Sequence, residues 1–247
     1  MPDDGQEGRP VIGPAQGRPA PSEPTLQTAW NLFKAHWQPY VLVQLTILGI
    51  FIVFLVITGV TTLLSQLLTG SLGDGDSNAA EALQVLLNFP FQLLYQVLVG
   101  LLGVLIVAFP ALHYANGHHP DFAEGLALLR KGFWRYVLAG VLVSVATAVG
   151  FLACLVPGLI VAVVTPIYIR RVFTSEEPVW PAFLASFRDL FNSGYGWGLV
   201  GYELLAGLLV LISAFFCLVP LIVTGPLAAI FIQQYLVSRG LGEPSEA

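Results

Sequence analysis

Charge is what this sequence has least of. Lys, Arg, Asp and Glu together make up 10% of its 247 residues, where a soluble domain carries about 25%, and a soluble particle of this size could not cover its surface with so few. That shortage excludes an ordinary cytosolic enzyme. Basic residues are scarcer still: ten Lys and Arg against fifteen Asp and Glu leave a net charge of −5 and a pI near 5.2. With no basic run, the phosphate-neutralising surface of a nucleic-acid binder is excluded too. Two cysteines, Cys154 and Cys217, are too few for a disulfide scaffold. Nor is there a Gly-rich phosphate loop, a nucleophile elbow, a His-Glu-x-x-His or a pair of carboxylates in an apolar run, so no enzyme activity, cofactor or metal is expected. What is abundant is apolar: 56% of residues are hydrophobic and the mean hydropathy is +0.78. The expected class is an all-α polytopic membrane helical bundle.

Residues 1–21 differ from the rest. Met1 to Pro24 holds six of the 17 prolines and four of the 15 acidic residues, with too little apolar surface to offset the entropy of ordering, and reads as a disordered tail. It lacks the basic n-region of a signal peptide. Residues 22–239 form the expected transmembrane domain, with apolar runs at about 40–68, 91–114, 136–155, 157–172, 197–217 and 220–238, followed by a short tail at 240–247. Inside a bilayer each backbone N–H and C=O must find its partner within the protein, so these runs are read as six helices. The fourth is short and reaches spanning length only by borrowing Arg170 and Arg171, through snorkelling or a thinned bilayer. All ten basic residues, Arg9, Arg18, Lys34, Arg130, Lys131, Arg135, Arg170, Arg171, Arg188 and Arg239, fall before the first run, between the second and third, at the C-terminal end of the fourth or between it and the fifth, or after the sixth. The positive-inside rule then places both termini in the cytoplasm, the expected location being a bacterial inner membrane. The first loop, 69–88, carries only Asp74, Asp76 and Glu81.

Three stretches are alike. Trp30-x-x-Phe33-Lys34-x-x-Trp37-x-x-Tyr40 matches Leu126-x-x-Leu129-Arg130-x-x-Phe133-x-x-Tyr136 at an offset of 96, and the latter matches Leu184-x-x-Phe187-Arg188-x-x-Phe191 at an offset of 58. Cys154-Leu155-Val156-Pro157 recurs as Cys217-Leu218-Val219-Pro220, and Pro110, Pro166 and Pro226 recur in the even-numbered runs. Ordered co-occurrence of basic residue, aromatic and proline reads as a threefold repeat of one short helix plus two spans. The short helices carry stripes at helical period: Leu26, Ala29, Trp30, Phe33 and Trp37; Phe122, Leu126, Leu129 and Phe133, begun by an Asp121–Glu124 capping pair; and Trp180, Phe183, Leu184, Phe187 and Phe191. One reading sinks these aromatics into the headgroup level with Lys34, Arg130 and Arg188 near phosphates. The other packs them on the protein's own spans. Both stay open.

Glu203 is the only acidic residue inside a run. A carboxylate in hydrocarbon is costly unless protonated, paired or wetted. Since no Lys or Arg lies inside a run short of the Arg170–Arg171 end of the fourth, it is expected to seek Gln44, Gln96, Thr165 or Tyr168, in an intramembrane polar site, or to sit shallow enough for interfacial water. His113, His118, His119 and Asp121 fit no strong metal spacing and read as an interfacial turn around Asn116-Gly117. Cys154 and Cys217 read as packing thiols, with a disulfide between them the other option. Gly140, Ser144 and Ala148, and Gly194, Gly198 and Gly201, read as small steps that let helix backbones approach, within the chain or in a homo-oligomer. The prolines are expected to kink their helices.

The segment Ala29-Trp30-Asn31-Leu32-Phe33-Lys34, the paired spans and the Leu155-Val156-Pro157-Gly158 turn resemble a broad group of bacterial polytopic membrane proteins and are similar to the membrane-embedded portion of some glycerophosphodiester phosphodiesterases. The resemblance covers about residues 22–239. It implies lipid-side anchoring and supplies no catalytic residue, because the soluble barrel with its metal-binding acids is not in this sequence. Two functions are therefore expected to compete: a non-catalytic protein that organises lipid or a membrane-protein partner at the cytoplasmic face, and a small-solute or lipid transporter using Glu203 and the proline-kinked helices. Three units sit poorly with the two-repeat plan of many transporters, which favours the first.

Overall fold

A computed structural model describes residues 23–71, 77–216 and 218–242. Segment 1–21, Asp74, Asp76 and Cys217 lie outside them. Among the described residues every regular element is a helix, and a short helix is followed by two long ones three times over. The first set is α1 (Leu26–Ala35), α2 (Trp37–Ser71) and α3 (Ser77–Asn116); the second is α4 (Phe122–Lys131), α5 (Phe133–Ala153) and α6 (Leu155–Thr174); the third is α7 (Val179–Asn192), α8 (Gly196–Phe216) and α9 (Leu218–Ser238). The long helices pair as α2–α3, α5–α6 and α8–α9, and the second member of each pair turns inward, so that α3, α6 and α9 touch one another while α2, α5 and α8 lie outside.

Five helices are long and apolar enough to cross a membrane: Trp37–Leu68, Gln84–Asn116, Phe133–Ala153, Leu155–Thr174 and Gly196–Ala214. The apolar part of α9 among the described residues, Ile222–Ser238, is shorter. The outer helices expose large side chains in rows, among them Leu55, Val60, Leu138, Val145, Leu204 and Leu211. Water would not tolerate so large a continuous apolar surface, whereas acyl chains are as apolar as leucine. The chain is a multi-pass membrane protein.

The joins are short and locally encoded. α1 begins on Thr25, whose hydroxyl accepts from the Thr28 N–H at 3.1 Å. α4 begins with Glu124 accepting from the Asp121 N–H at 2.9 Å, one half of the capping pair read from the sequence. α4 rests closely on α3, since a Cβ on Gly125 would lie 2.6 Å from the Phe109 ring. α5 and α6 are separated by one extended residue, Cys154, which is exposed and free. So abrupt a reversal needs backbone contact, and a Cβ on Gly150 would come within 2.8 Å of the Gly158 nitrogen.

Four features differ from the expectation or add to it. The stretch expected as a loop at 69–88 is mostly helical, because α2 runs to Ser71 and α3 starts at Ser77. Polar residues on either side of the turn do not break the helices: the Ser65 hydroxyl donates to the Thr62 carbonyl, and Thr61–Asn88 and Gln84–Thr62 hydrogen bonds bridge the pair. α6 does take in Arg170 and Arg171, but both are buried against protein and do not snorkel. Gly140, Ser144 and Ala148 are exposed, and a Cβ on Gly140 would meet nothing within 4 Å; of the other small residues Gly198 makes a close approach, to Tyr235, while Gly194 and Gly201 face open space. Finally, the start of the C-terminal tail is docked, with Leu241 buried and the Gly242 N–H donating to Asp189 at 3.1 Å.

Candidate functional site

Contacts between the three short helices and the helix ends gather the polar chemistry at one end of the bundle. The Gln234 amide of α9 donates to the Thr28 hydroxyl of α1 at 3.1 Å. Tyr40 at the start of α2 meets His119, just before α4, at 3.1 Å. Arg135 of α5 donates to the Ser175 and Glu177 carbonyls at 2.6 and 3.0 Å. Arg171 of α6 donates through Nη2 and Nε to Asp189 of α7 at 2.8 and 3.1 Å, and through Nη1 to Glu177 at 3.2 Å. Arg239, past α9, lies 4.9 Å from the Tyr195 ring centre.

The basic residues at this end divide into two kinds. Arg135, Arg170 and Arg171 are buried or partly buried and serve the fold. Lys34, Arg130, Lys131, Arg188 and Arg239 are exposed. Lys34 leans over the Trp30 ring, its Nζ 5.8 Å from the centroid. All five tryptophans of the chain, Trp30, Trp37, Trp134, Trp180 and Trp197, are at the same end, and all are exposed, from 38% at Trp30 to 87% at Trp197.

The apolar stripes of the short helices split lengthwise. Ala29 and Phe33 of α1, Leu129 of α4, and Ala182, Phe183 and Leu190 of α7 are buried. Trp30 on α1 and Trp37 at the start of α2, Leu126 on α4 and Phe133 at the start of α5, and Trp180, Leu184 and Phe191 on α7 are exposed; Phe187 lies between, its ring T-stacked on Phe183 at 5.0 Å. One edge of each helix therefore packs on the spans while the other faces outward.

The residues expected around Glu203 are not brought together. Gln96, Thr165 and Tyr168 line one cleft between α3, α5 and α6, and neither Gln44 nor Glu203 contributes to its wall. Gln44 faces the Gly225 region of α9. Glu203 lies on the α8 stripe that includes buried Leu199 and Ala206, three and four residues away and so on the same helix face. Its Oε1 is buried without a hydrogen-bond partner among the described residues. An unpaired buried polar group costs about 1–3 kcal/mol, so Glu203→Leu is expected to stabilise the protein by about 1 kcal/mol in detergent unfolding. A loss of stability on that substitution would mean that the carboxyl makes a compensating interaction.

Two polar arrangements go beyond the sequence reading, the Gln233–Gln234 pair and the packing of His36 on the histidines of the interfacial turn. Gln233 is fully buried, donating to the Pro166 carbonyl at 3.4 Å, and Gln234 ties α9 to α1; the adjacent Gln-Gln inside an apolar run was the available signal. The second is a histidine cluster. His36, at the α1–α2 break, stacks on His119 with ring centres 4.4 Å apart and planes 6° apart, and His113 lies 5.9 and 5.7 Å from the two. His119 is buried, with Nδ1 against the Pro120 carbonyl at 3.2 Å and Nε2 against the Tyr40 hydroxyl at 3.1 Å. That pairing fits a neutral ring that donates from Nδ1 and accepts at Nε2. Burial, then the neighbouring His36, holds its pKa down to about 4. His118 is exposed and meets Glu124 at 3.3 Å, whose carboxyl is held below its usual range by the Asp121 N–H and by His118. Among the described residues no group of three His, Cys, Asp or Glu is placed to hold a metal ion.

No protein-family model, curated protein or solved structure matches the chain.

Proposed function

We propose that this chain is a non-catalytic integral membrane protein of a bacterial cytoplasmic membrane that organises anionic lipid at the cytoplasmic face. The observation that carries the reading is the coincidence, at one end of the bundle, of five exposed tryptophans with five exposed basic side chains. Tryptophan settles at the headgroup level, where its ring is in an apolar setting and its N–H meets a polar one. Lys and Arg beside it reach lipid phosphates. The positive-inside rule assigns this end to the cytoplasm. In this reading α9 is the sixth span, both termini are cytoplasmic, and the three short–long–long sets are repeats whose short helices lie in the membrane plane with their exposed edges in lipid.

Each basic residue near an anionic surface contributes about 1 kcal/mol, so replacing Lys34, Arg130 and Arg188 together with Gln removes about 3 kcal/mol of attraction. In polymer-excised native membrane discs, the wild-type protein is expected to carry more anionic lipid than the bulk membrane, and the triple variant to lose that excess. Equal enrichment in both, or none in the wild type, would contradict the proposal. Transport through Glu203 has less support, because the polar residues such a pathway would use do not share a cavity with it.

A further inference from the structure

The membrane-crossing helices are of two lengths. The apolar stretches of α2 and α3, Trp37–Leu68 and Gln84–Asn116, have 32 and 33 residues, against 21, 20 and 19 in α5, α6 and α8. At the helical rise the first two are about 48–50 Å long and the others about 29–32 Å. A bilayer's hydrocarbon core is about 30 Å thick, so α5, α6 and α8 fit it upright and the α2–α3 hairpin is too long by about 18 Å. The surplus lies away from the basic end. α3 is anchored near that end, with Leu101, Leu105, Phe109 and Leu112 buried where it meets α6 and α9. From Phe51 to Gln96, by contrast, Ser65 alone is buried among the described residues. This arm is joined by contacts between its own two helices: Phe54 stacks on Tyr95 at 4.4 Å, Thr61 bonds to Asn88 and Gln84 to Thr62. Its outer surface is apolar. Val60, Leu63, Leu67, Val85, Leu86 and Phe89 are 61% to 72% exposed. No Lys, Arg, Asp or Glu occurs from Trp37 to Gly73 or from Ala82 to Leu112, so no charged residue marks a water boundary at the level where α5, α6 and α8 end.

We propose that the arm, residues 51–71 with 77–96, leans over within the leaflet opposite the basic end, its apolar surface kept in acyl chains, and that its lean follows bilayer thickness. Standing upright it would carry a patch of large apolar side chains into water, which does not tolerate one. Acyl chains are the medium already in contact with the exposed faces of α5 and α8, and an uncharged surface continuous with those faces suits the same solvent. The arm starts about 20 Å from Trp37, which leaves about 10 Å of hydrocarbon for the roughly 27 Å that run to Leu68. It fits by lying about 70° from the membrane normal, steeper than the 0–40° of whole spans. Helix breakers stand where such a bend is needed. The Phe54–Tyr95 and Thr61–Asn88 pairs set the register, which puts Gly49 opposite Gly100 at the base and Gly59 opposite Pro90 further out. A Cβ on any of these glycines would meet nothing within 4 Å, and Pro90 has no N–H to bond back within α3. Both helices can therefore kink at the same two levels. The inference requires only that the helices span a membrane, and it stands apart from the headgroup chemistry of the short helices.

The test uses the full chain in liposomes, with Cys154→Ser and Cys217→Ser and one spin-labelled cysteine at a time in place of Leu63, Leu86, Leu204 or Leu211. Collisions with oxygen, which enters hydrocarbon, and with a water-soluble nickel chelate report where each label sits. Leu63 and Leu86 on the arm are expected to give the same oxygen-dominated ratio as Leu204 and Leu211 on α8. Leu67 and Val85, equally exposed, replace them if either label disturbs folding. A second measurement pairs a label at Leu63 with one on the native Cys154 at the α5–α6 turn. Their separation is expected to shift by about 5 Å or more between bilayers of 14- and 22-carbon chains, while a Leu138–Leu204 pair stays constant. Gly59→Ala with Pro90→Ala stiffens the outer level and should roughly halve that shift. Nickel-dominated collisions at Leu63 and Leu86 would mean that the arm stands in water. Shielding from both reagents would mean that a second copy or another protein covers it, and either result overturns the proposal. A separation fixed across thicknesses would overturn the response to thickness, and a shift indifferent to the double substitution would overturn the role of the Gly59–Pro90 level.

Discussion

Asp189→Ala is expected to cost about 3–5 kcal/mol of unfolding free energy, because it leaves a buried guanidinium without its main partner. Arg171 is nearly buried and its Asp189 partner half so, with side-chain exposures of 6% and 23%. Asp189 accepts from both Nε and Nη2 of Arg171, at 3.1 and 2.8 Å, and from the Gly242 N–H. One carboxylate therefore joins the end of α6, the last turn of α7 and the segment after α9. Glu177 holds only Nη1, at 3.2 Å, so Glu177→Ala is expected to cost about 1 kcal/mol. The measurement is reversible unfolding in mixed micelles, with Trp180 fluorescence following α7. If Asp189→Ala were as mild as Glu177→Ala, the Arg171–Asp189 pair would not be what holds α7 on the bundle.

Acidification from pH 7.5 to 5 is expected to cost about 2 kcal/mol through His119 alone. The ring is neutral in the folded protein, its pKa held near 4 against 6.5 when unfolded. Between those values the unfolded chain binds the proton and the folded one does not, so stability is full above about pH 6.5 and falls as pH drops toward 4. The groups facing His119 are His36 from the α1–α2 break, Tyr40 from α2, Phe109 and His113 from α3. No carboxylate is among these partners to favour the charged ring. His119→Gln, which still offers an oxygen to the Tyr40 hydroxyl, is expected to remove most of the slope. A stability profile flat from pH 7.5 to 5 in the wild type would refute the account of this cluster.

The helices were legible in the sequence because a bilayer leaves the backbone no other way to satisfy its N–H and C=O groups. Which helix faces inward was not. Pro110, Pro166 and Pro226 mark α3, α6 and α9, the three that meet at the centre, but lipid and protein interior are equally apolar, so hydropathy gives no contrast between an inner and an outer span. The extent of α2 and α3 was not legible for a related reason: the polar stretch at 69–88 reads as a loop by composition, yet Gln84 and Asn88 within it bond to Thr62 and Thr61 of the preceding run. At the basic end, the stripes of α1, α4 and α7 were legible as periodic patterns. Their division into a packed edge and an exposed edge was not, since Phe33 and Trp30 look alike to any hydropathy scale. The polar set around Glu203 was assembled from residue type alone, and the fold distributes it between α8, the Gln44–Gly225 contact and the α3–α5–α6 cleft. His36 carried no signal, because its partners come from the far end of α3 and the loop beyond it.

The measurement that bears most directly on the central claim is the depth of the tryptophans. In bilayers of phospholipids brominated at successive positions along the acyl chain, the account predicts one shallow profile for all five, with quenching strongest for bromines near the glycerol and fading toward the terminal methyl. Quenching that peaks at the bilayer centre, or fluorescence untouched by bromine at any depth, would mean that Trp30, Trp37, Trp134, Trp180 and Trp197 do not mark a lipid–water boundary, and that the exposed edges of the short helices do not rest in lipid.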